Sequence, residues 1–183
     1  MKWLRDEEFI RNKVPMTKFD VRIAVIAALA IDKDDIFLDV GAGTGSISIQ
    51  AALSGAAVYS IEKKKQAIEL IEKNAEKFKV NVNLLEGEAP EILNKVPDFN
   101  KCFIGGSGGR LKEIFEIING KLKASGIIAA TFIRVKNMND FCEILKEYNY
   151  LNIEIKLFQV SIVDGLGLMK ANNPVFLVRG IKP

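Results

Sequence analysis

Two carboxylates and three glycines near the start of the chain have the spacing of a ligand-binding site. Gly41, Gly43 and Gly45 stand at alternate positions, and their bare backbone lets a ligand approach closely. Asp39 lies near the end of the apolar run that precedes them. Glu62 follows the first glycine by about 20 residues, the distance at which dinucleotide-binding folds have a ribose-binding carboxylate. The pattern predicts a site for a ligand that contains a nucleoside.

The carboxylate beside the glycines indicates a cationic ligand. The glycine spacing is G-x-G-x-G, whereas dinucleotide-binding proteins carry G-x-G-x-x-G. A buried Asp39 needs a cation or hydrogen-bond donors, and its charge would repel a pyrophosphate. The α-ammonium and sulfonium groups of S-adenosylmethionine meet that need. The apolar strand, Asp39, the glycines and Glu62 together predict a class I methyltransferase that uses S-adenosyl-L-methionine.

A second glycine-rich loop follows the fourth predicted strand. It consists of Gly105, Gly106, Ser107, Gly108 and Gly109. A two-residue bend would need only one or two glycines. We therefore expect a functional loop whose backbone admits a bulky substrate and offers N–H groups to its carboxylates.

Two charged residues near the carboxyl ends of predicted strands each have two possible roles. Arg134 follows the fifth predicted strand and would either meet substrate anions or lie on an ordinary surface. Glu88 would either border an adenine or only cap a short helix that ends near Val96. No metal site and no general acid or base is predicted from these residues.

Strands and helices alternate in the hydrophobic pattern. The predicted strands are residues 36–40, 58–61, 82–85, 101–104, 126–133, 151–158 and 175–178. The predicted helices are residues 17–31 with Thr17 as the N-cap, 47–53, 63–79, a short one ending near 96, 110–122 and 138–148. This order predicts an α/β, Rossmann-like fold, with a doubly wound, mostly parallel seven-stranded sheet that closes on a C-terminal antiparallel hairpin.

Two segments lie outside this alternation. Residues 1–16 are polar and end near Pro15, so we expect a leader that crosses the domain before the first long helix. Residues 161–173 contain glycines and apolar residues, and they would cover the active site or a neighbouring subunit.

The length and composition limit which classes of protein this chain can belong to. With 183 residues, 49% of them hydrophobic, we expect residues 1–183 to form one domain. No apolar run approaches the roughly 20 residues that span a bilayer, and the first residues are too charged for a signal peptide. A cytoplasmic protein without membrane contact is expected. The net charge of +3 is mild and fits an anionic small molecule, RNA or a plain solvated surface.

The residue types that are absent or rare exclude some catalytic mechanisms. The chain has no histidine, which excludes Ser-His-Asp and Cys-His mechanisms. Cys102 and Cys142 are far apart in apolar surroundings, so two reduced, packed thiols are expected.

Six short segments resemble one family, the decarboxylating cobalt-precorrin-6B C-15 methyltransferases of cobalamin biosynthesis, also called the small precorrin-6Y methylase subunit. The resemblance covers nearly the whole chain. It depends on DEEFIR (6–11), VPMTK (14–18), DVGAGTGS (39–46), EGEAPE (86–91), IGGSGG (104–109) and NPV (173–175).

The resemblance implies a site, a reaction and an assembly. The implied S-adenosylmethionine contacts are Thr17, Gly41, Ala42, Gly43, Thr44, Gly45, Glu62 and Ala89. The family usually has Asp where this chain has Glu88. The implied substrate is a tetrapyrrole that is methylated at C-15 and decarboxylated at the C-12 acetate, and the implied assembly is a homotetramer.

Two other functions remain open from the sequence. A class I methyltransferase acting on tRNA would have similar cofactor residues but strong, salt-dependent RNA affinity and usually an added RNA-binding module. There is little room for such a module, and no nucleic-acid partner is expected. A non-catalytic nucleoside-binding regulatory module would bind the cofactor without turnover.

Overall fold

A computed structural model describes residues 2–183, in which nine strands and five α-helices follow one another. The strands are β1 Ile36–Val40, β2 Ala57–Glu62, β3 Asn83–Glu86, β4 Phe99–Ile104, β5 Leu122–Phe132, β6 Leu151–Phe158, β7 Ser161–Val163, β8 Met169–Ala171 and β9 Val175–Ile181. The helices are α1 Phe19–Leu29, α2 Ser46–Ala52, α3 Lys65–Phe78, α4 Leu111–Lys121 and α5 Val135–Glu147. Single 3₁₀ turns cover Asp6–Glu8 and Leu93–Lys95.

Seven strands form one sheet in the order β3-β2-β1-β4-β5-β9-β6. The strands β1 to β5 are parallel, and β9 runs antiparallel between β5 and β6. The predicted fold class is confirmed. Because the strand order reverses between β1 and β4, a crevice opens at their carboxyl ends, where ligands of open α/β sheets bind.

The central strands β1, β4 and β5 are largely buried on both faces, as expected for parallel strands covered by helices. One face packs α4 and α5 through Phe115 and Phe141. The other packs α1 and α2 through Val25 and Ile47. The helix α3 has a buried apolar stripe that includes Leu70, with charged residues outside. Among the described residues, no helix has the length and apolar character needed to cross a bilayer.

Three buried polar side chains fasten residues 2–16 to the helices. The Arg22 guanidinium is fully buried and donates to the carbonyls of Leu4 and Thr17, at 2.6 and 2.8 Å. Gln50 accepts from the Leu4 amide at 3.1 Å. Asn74 holds both backbone groups of Ile10 and donates to a carbonyl of the glycine loop. These bonds fix the path of the leader beside the crevice.

Some element boundaries differ from the predictions. The residue that caps α1 is Lys18, without a side-chain bond, so the predicted Thr17 cap is wrong; the Thr17 carbonyl accepts from Arg22 instead. The predicted helix ending near 96 is only a 3₁₀ turn. The strand β5 begins at Leu122 rather than Gly126, and β9 extends to Ile181 rather than Val178. The strand β5 starts earlier because Leu122 pairs with Phe99 of β4. The strand β9 ends later because its antiparallel pairing with β5 and β6 reaches Ile181.

The segment 161–173 forms a separate two-stranded hairpin, β7 with β8. It contributes no residue to the large cavity described below. Its apolar side chains are exposed, and Leu166 at the turn is 87% exposed. Covering of the active site, one of the two predicted roles, is therefore not seen in this structure.

Candidate active site

A cavity of about 800 Å³ lies at the carboxyl ends of β1, β2, β4 and β5. Four segments and the strand ends enclose it: residues 14–18, where the leader meets α1, the first glycine loop (41–44), residues 87–89 and the second glycine loop (105–108). This volume lies in the upper part of the range of roughly 300–1,000 Å³ that is typical of small-molecule sites. The site therefore has room for a nucleoside cofactor beside part of a second ligand.

Asp39 is the most unusual group in the cavity wall. It is 1% exposed, and its Oδ2 accepts a hydrogen bond from the Ser48 hydroxyl. Its Oδ1 is buried and has no hydrogen-bond partner among residues 2–183. Burial raises the pKa of Asp39 to about 7; the Ser48 bond opposes this rise, and the charge of Glu62 adds to it. Burying a carboxylate oxygen without a partner costs free energy unless a bound ligand supplies a hydrogen-bond donor or a cation.

Glu62 organises the first glycine loop. Its Oε2 accepts from the Gly43 amide at 2.9 Å, and its Oε1 accepts from the amides of Lys63 and Lys64, both at 2.9 Å. An ionised carboxylate has about four acceptor positions. Three N–H groups therefore hold Glu62 rigidly and leave acceptor capacity for a ligand hydroxyl.

The two glycine loops are in direct contact. Gly41 has φ +75°, and a Cβ at this residue would lie 3.0 Å from the backbone N and O of Gly106. The amides of Gly105 and Gly106 both donate to the Val40 carbonyl, at 2.9 and 3.3 Å. Only a residue without a side chain fits at Gly41, because the second loop occupies the space that a Cβ would need.

The positions of the second loop differ in whether the structure requires a glycine there. A Cβ at Gly105 would lie 3.2 Å from the Gly41 carbonyl oxygen, so this glycine serves loop packing. Gly108 and Gly109 have positive φ. Gly106 has neither constraint, since a Cβ there would meet nothing within 4 Å and its φ is not positive. Neither loop packing nor turn geometry therefore requires a glycine at Gly106, which lines the cavity.

The structure brings most of the sequence-predicted residues together. The predicted residues that line the cavity are Thr17, Asp39, Gly41, Ala42, Gly43, Thr44, Glu62, Ala89, Gly105, Gly106, Ser107 and Gly108. Gly45, Gly109 and Arg134 do not line it. Gly45 starts α2 with φ +75°, and Arg134 is exposed one residue beyond the lining residue Ile133.

Sequence reasoning missed three cations of the cavity wall, Lys18, Lys63 and Lys64. Lys63 and Lys64 directly follow Glu62, and that adjacency was the available signal. The Lys63 ammonium pairs with Glu88 at 2.6 Å. Glu88 lines the cavity and its side chain does not cap the 3₁₀ turn, whose N-cap is Ile92.

The donor and acceptor set fits S-adenosylmethionine. Asp39 presents an unpaired carboxyl oxygen that suits a cation when the group is ionised, and Glu62 is oriented with spare acceptor capacity suited to a ribose. Between them, the loop 41–44 offers bare backbone to the same cavity. The three features lie where parallel strands end, as nucleoside ligands require in this architecture.

Comparison with known proteins agrees with this geometry. A family model described as precorrin methyltransferase domain matches residues 8–180. A Sulfolobus acidocaldarius protein named probable cobalt-precorrin-6B C(15)-methyltransferase (decarboxylating) is 38% identical over 97% of this chain and 96% of its own length.

Two crystal structures have nearly the same fold over the whole chain. Precorrin-6y C5,15-methyltransferase from Geobacter metallireducens has a TM-score of 0.93 at 31% identity and covers 98% of this chain and 97% of its own. Precorrin 8W decarboxylase from Methanobacterium thermoautotrophicum has a TM-score of 0.91 at 34% identity and covers 97% and 98%. The resemblance inferred from the six short segments is confirmed, and the chain belongs to the precorrin methyltransferase domain family.

Proposed function

We propose that this protein uses S-adenosyl-L-methionine to methylate cobalt-precorrin-6B at C-15 and to remove the C-12 acetate carboxyl as carbon dioxide, giving cobalt-precorrin-7. One observation carries the proposal: the unpaired oxygen of Asp39 and the open backbone at Gly106 belong to the same cavity. A cation site and a bare wall for a bulky substrate thus lie side by side. The names of the relatives supply the identity of the substrate.

The cofactor residues would act by binding and orientation. Bound S-adenosylmethionine supplies an electrophilic methyl group. Asp39 would neutralise a cationic group of the cofactor, and Glu62 would accept from its ribose while holding the Gly43 amide. Thr17 and Ala89 line the same cavity from two other segments and would contact the cofactor at its sides.

The proposed methylation needs no strong protein base. A meso carbon of such a macrocycle is an electron-rich, enamine-type nucleophile, so alignment with the methyl donor in a water-poor site supplies most of the acceleration. Decarboxylation needs an electron sink, which the methylated conjugated ring provides. The absence of histidine in the chain is compatible with both steps.

The reaction can be tested directly. The purified protein is incubated with S-adenosylmethionine that carries an isotopic label in its methyl group, together with cobalt-precorrin-6B and, in a parallel reaction, with tRNA. We expect one labelled methyl at C-15 and one carbon dioxide per turnover. Labelled tRNA with unlabelled tetrapyrrole would favour an RNA methyltransferase, and tight cofactor binding without transfer to either substrate would favour a regulatory module.

Arg134 remains our candidate for the substrate's peripheral carboxylates. Its side chain is exposed beside Ile133, and it has no ion pair among residues 2–183. We expect Arg134→Gln to raise the KM for the tetrapyrrole by up to about fivefold, since an exposed charge pair contributes roughly 1 kcal/mol or less. Cofactor affinity should not change.

Two variants control this experiment, which is run with each ligand varied in turn at low and high salt. Lys136→Gln removes a nearby cation that is already paired with Asp140, and it should leave both constants unchanged. Lys18→Gln removes a cation of the cavity wall. If Lys18→Gln raises the KM and Arg134→Gln does not, the anion site lies at the leader.

We also propose that the 183 residues form one domain that assembles as a homotetramer. Support comes from exposed apolar residues on the hairpin β7–β8 and on the edge strand β6, among them Ile155 (51%), Leu157 (57%) and Met169 (73%). Light scattering after size exclusion should give four times the monomer mass. A monomeric mass at assay concentrations would overturn the proposal.

A further inference from the structure

We propose that Ser48 and Ser60 are positioning residues, whose hydroxyl groups form a buried chain that binds one oxygen of Asp39 and leaves the other for the cofactor's cationic group. The inference rests on the proposed cofactor and extends the site beyond the residues that line the cavity, because neither serine lines it. Neither residue was singled out by its type or spacing in the sequence.

The chain of hydroxyls is built from three elements. Asp39 on β1 lies directly beside Ser60 on β2 in the parallel register. Ser48 lies on α2, which packs over both strands. The Ser60 hydroxyl donates to the Ser48 oxygen at 2.7 Å, and the Ser48 hydroxyl donates to Asp39 Oδ2. Both serines are fully buried, so water does not compete for these bonds.

The direction of these bonds decides where a proton can sit. Each serine has a single hydroxyl hydrogen, and the hydrogen of Ser48 is already directed at Oδ2. With the hydroxyls in this direction, a proton on Asp39 is held at Oδ1, the oxygen without a partner among the described residues. A protonated Oδ1 cannot accept from a cationic donor. Binding of a cation at Oδ1 must therefore release the proton.

The surroundings make this release measurable near neutral pH. Burial raises the pKa of Asp39 to about 7, and the Ser48 bond limits the rise. The charged group that acts on it from β2 is Glu62, which raises the pKa further. From β4 the neighbouring titratable group is Cys102, a buried thiol whose own pKa is raised well above its usual value. Among residues 2–183, no cationic side chain forms an ion pair with Asp39.

The first experiment is calorimetric titration of the ligand-free protein with S-adenosylmethionine between pH 5.5 and 8.5, without tetrapyrrole. Below the pKa of Asp39, the Kd should weaken by about tenfold per pH unit. Titration in two buffers of different ionisation enthalpy should show release of about one proton at pH 5.5 and about half a proton near pH 7. S-adenosylhomocysteine, which has the α-ammonium but no sulfonium, tells which cation meets Oδ1.

Ser48→Ala should shift the pH at which the Kd starts to weaken upward by about one unit, because the ionised form of Asp39 loses a charge-assisted hydrogen bond. Ser60→Ala should cause a smaller shift of the pH profile in the same direction, because the Ser60 hydroxyl acts on Asp39 only by polarising the Ser48 hydroxyl. The matched control is Ser46→Ala in the same helix, whose buried hydroxyl lies 3.5 Å from the Thr17 carbonyl and takes no part in the chain. Its profile should match the parent's.

A direct measurement separates positioning from mere packing. Carbon-13 NMR of the Asp39 carboxyl in the ligand-free protein reports its pKa in each variant, and a structural role alone would leave that pKa in place. Unchanged profiles in both Ser48→Ala and Ser60→Ala would overturn the inference while the proposed function stands. A parent protein that binds neither S-adenosyl compound would overturn both.

Discussion

Gly106→Val should abolish turnover of the tetrapyrrole while the protein folds normally and binds its cofactor. A Cβ at Gly106 meets nothing within 4 Å, and the backbone there does not have positive φ, so a side chain can begin at this residue without a clash at Cβ. Its methyl groups would enter the cavity that this residue lines. A displacement of the substrate by about 1 Å costs roughly 100-fold in rate, and a bulky macrocycle has little freedom to avoid the added side chain.

Steady-state kinetics and calorimetry on the same preparation measure this effect. Gly120→Val is the matched control, because a Cβ at Gly120 also meets nothing within 4 Å and the residue lies outside the cavity. Gly41→Ala gives the contrasting result: a Cβ 3.0 Å from the Gly106 backbone, at φ +75°, should disturb the fold itself. Normal turnover in Gly106→Val would mean that the second glycine loop only turns the chain.

Asp39→Asn should stabilise the ligand-free protein at pH 8 and weaken its binding of S-adenosylmethionine. The folded state raises the pKa of this buried acid from 3.8 to about 7. Between these values the folded protein holds a proton that the unfolded chain has lost, so this group's contribution to stability falls as pH rises through the window. The parent should therefore lose roughly 3 kcal/mol between pH 5 and pH 8 that the variant keeps.

Although Asp39→Asn should stabilise the ligand-free protein, the same substitution should weaken its affinity for the cofactor. Asparagine cannot offer an anionic oxygen to a cation, and a charge-assisted hydrogen bond is worth about 1.5–3 kcal/mol, so the Kd should weaken by roughly 10- to 100-fold. The affinity should also lose its pH dependence near neutrality. Urea unfolding at pH 5 and pH 8, together with calorimetry, measures both effects.

Asp35→Asn is the control for this substitution. Asp35 is also buried, but its two oxygens accept from the Asp32 amide and from Asn100. An asparagine there would leave a donor unpaired, so it should destabilise the protein at both pH values and leave cofactor affinity unchanged. If Asp39→Asn behaved like Asp35→Asn, the open oxygen of Asp39 would have no role in binding.

The sequence by itself determined the fold class and the family. Alternation of apolar strands with helical stripes leaves few ways to bury both, and a doubly wound sheet is the common one. Asp39, the glycines after it and Glu62 are close together in the chain or follow adjacent strands, so their meeting at one sheet edge follows from parallel order alone. Local spacing was enough there because the backbone itself brings those residues together.

The tertiary structure decided everything that depends on partners distant in sequence. The hydroxyl chain on Asp39 joins residues of three elements, and no spacing rule connects Ser48 with Ser60. The separate reasons for Gly105 and Gly106 depend on the distance between two loops more than 60 residues apart in the sequence. Arg134 was placed correctly at the sheet edge by its strand, but whether a side chain reaches a cavity depends on packing, which periodicity does not encode.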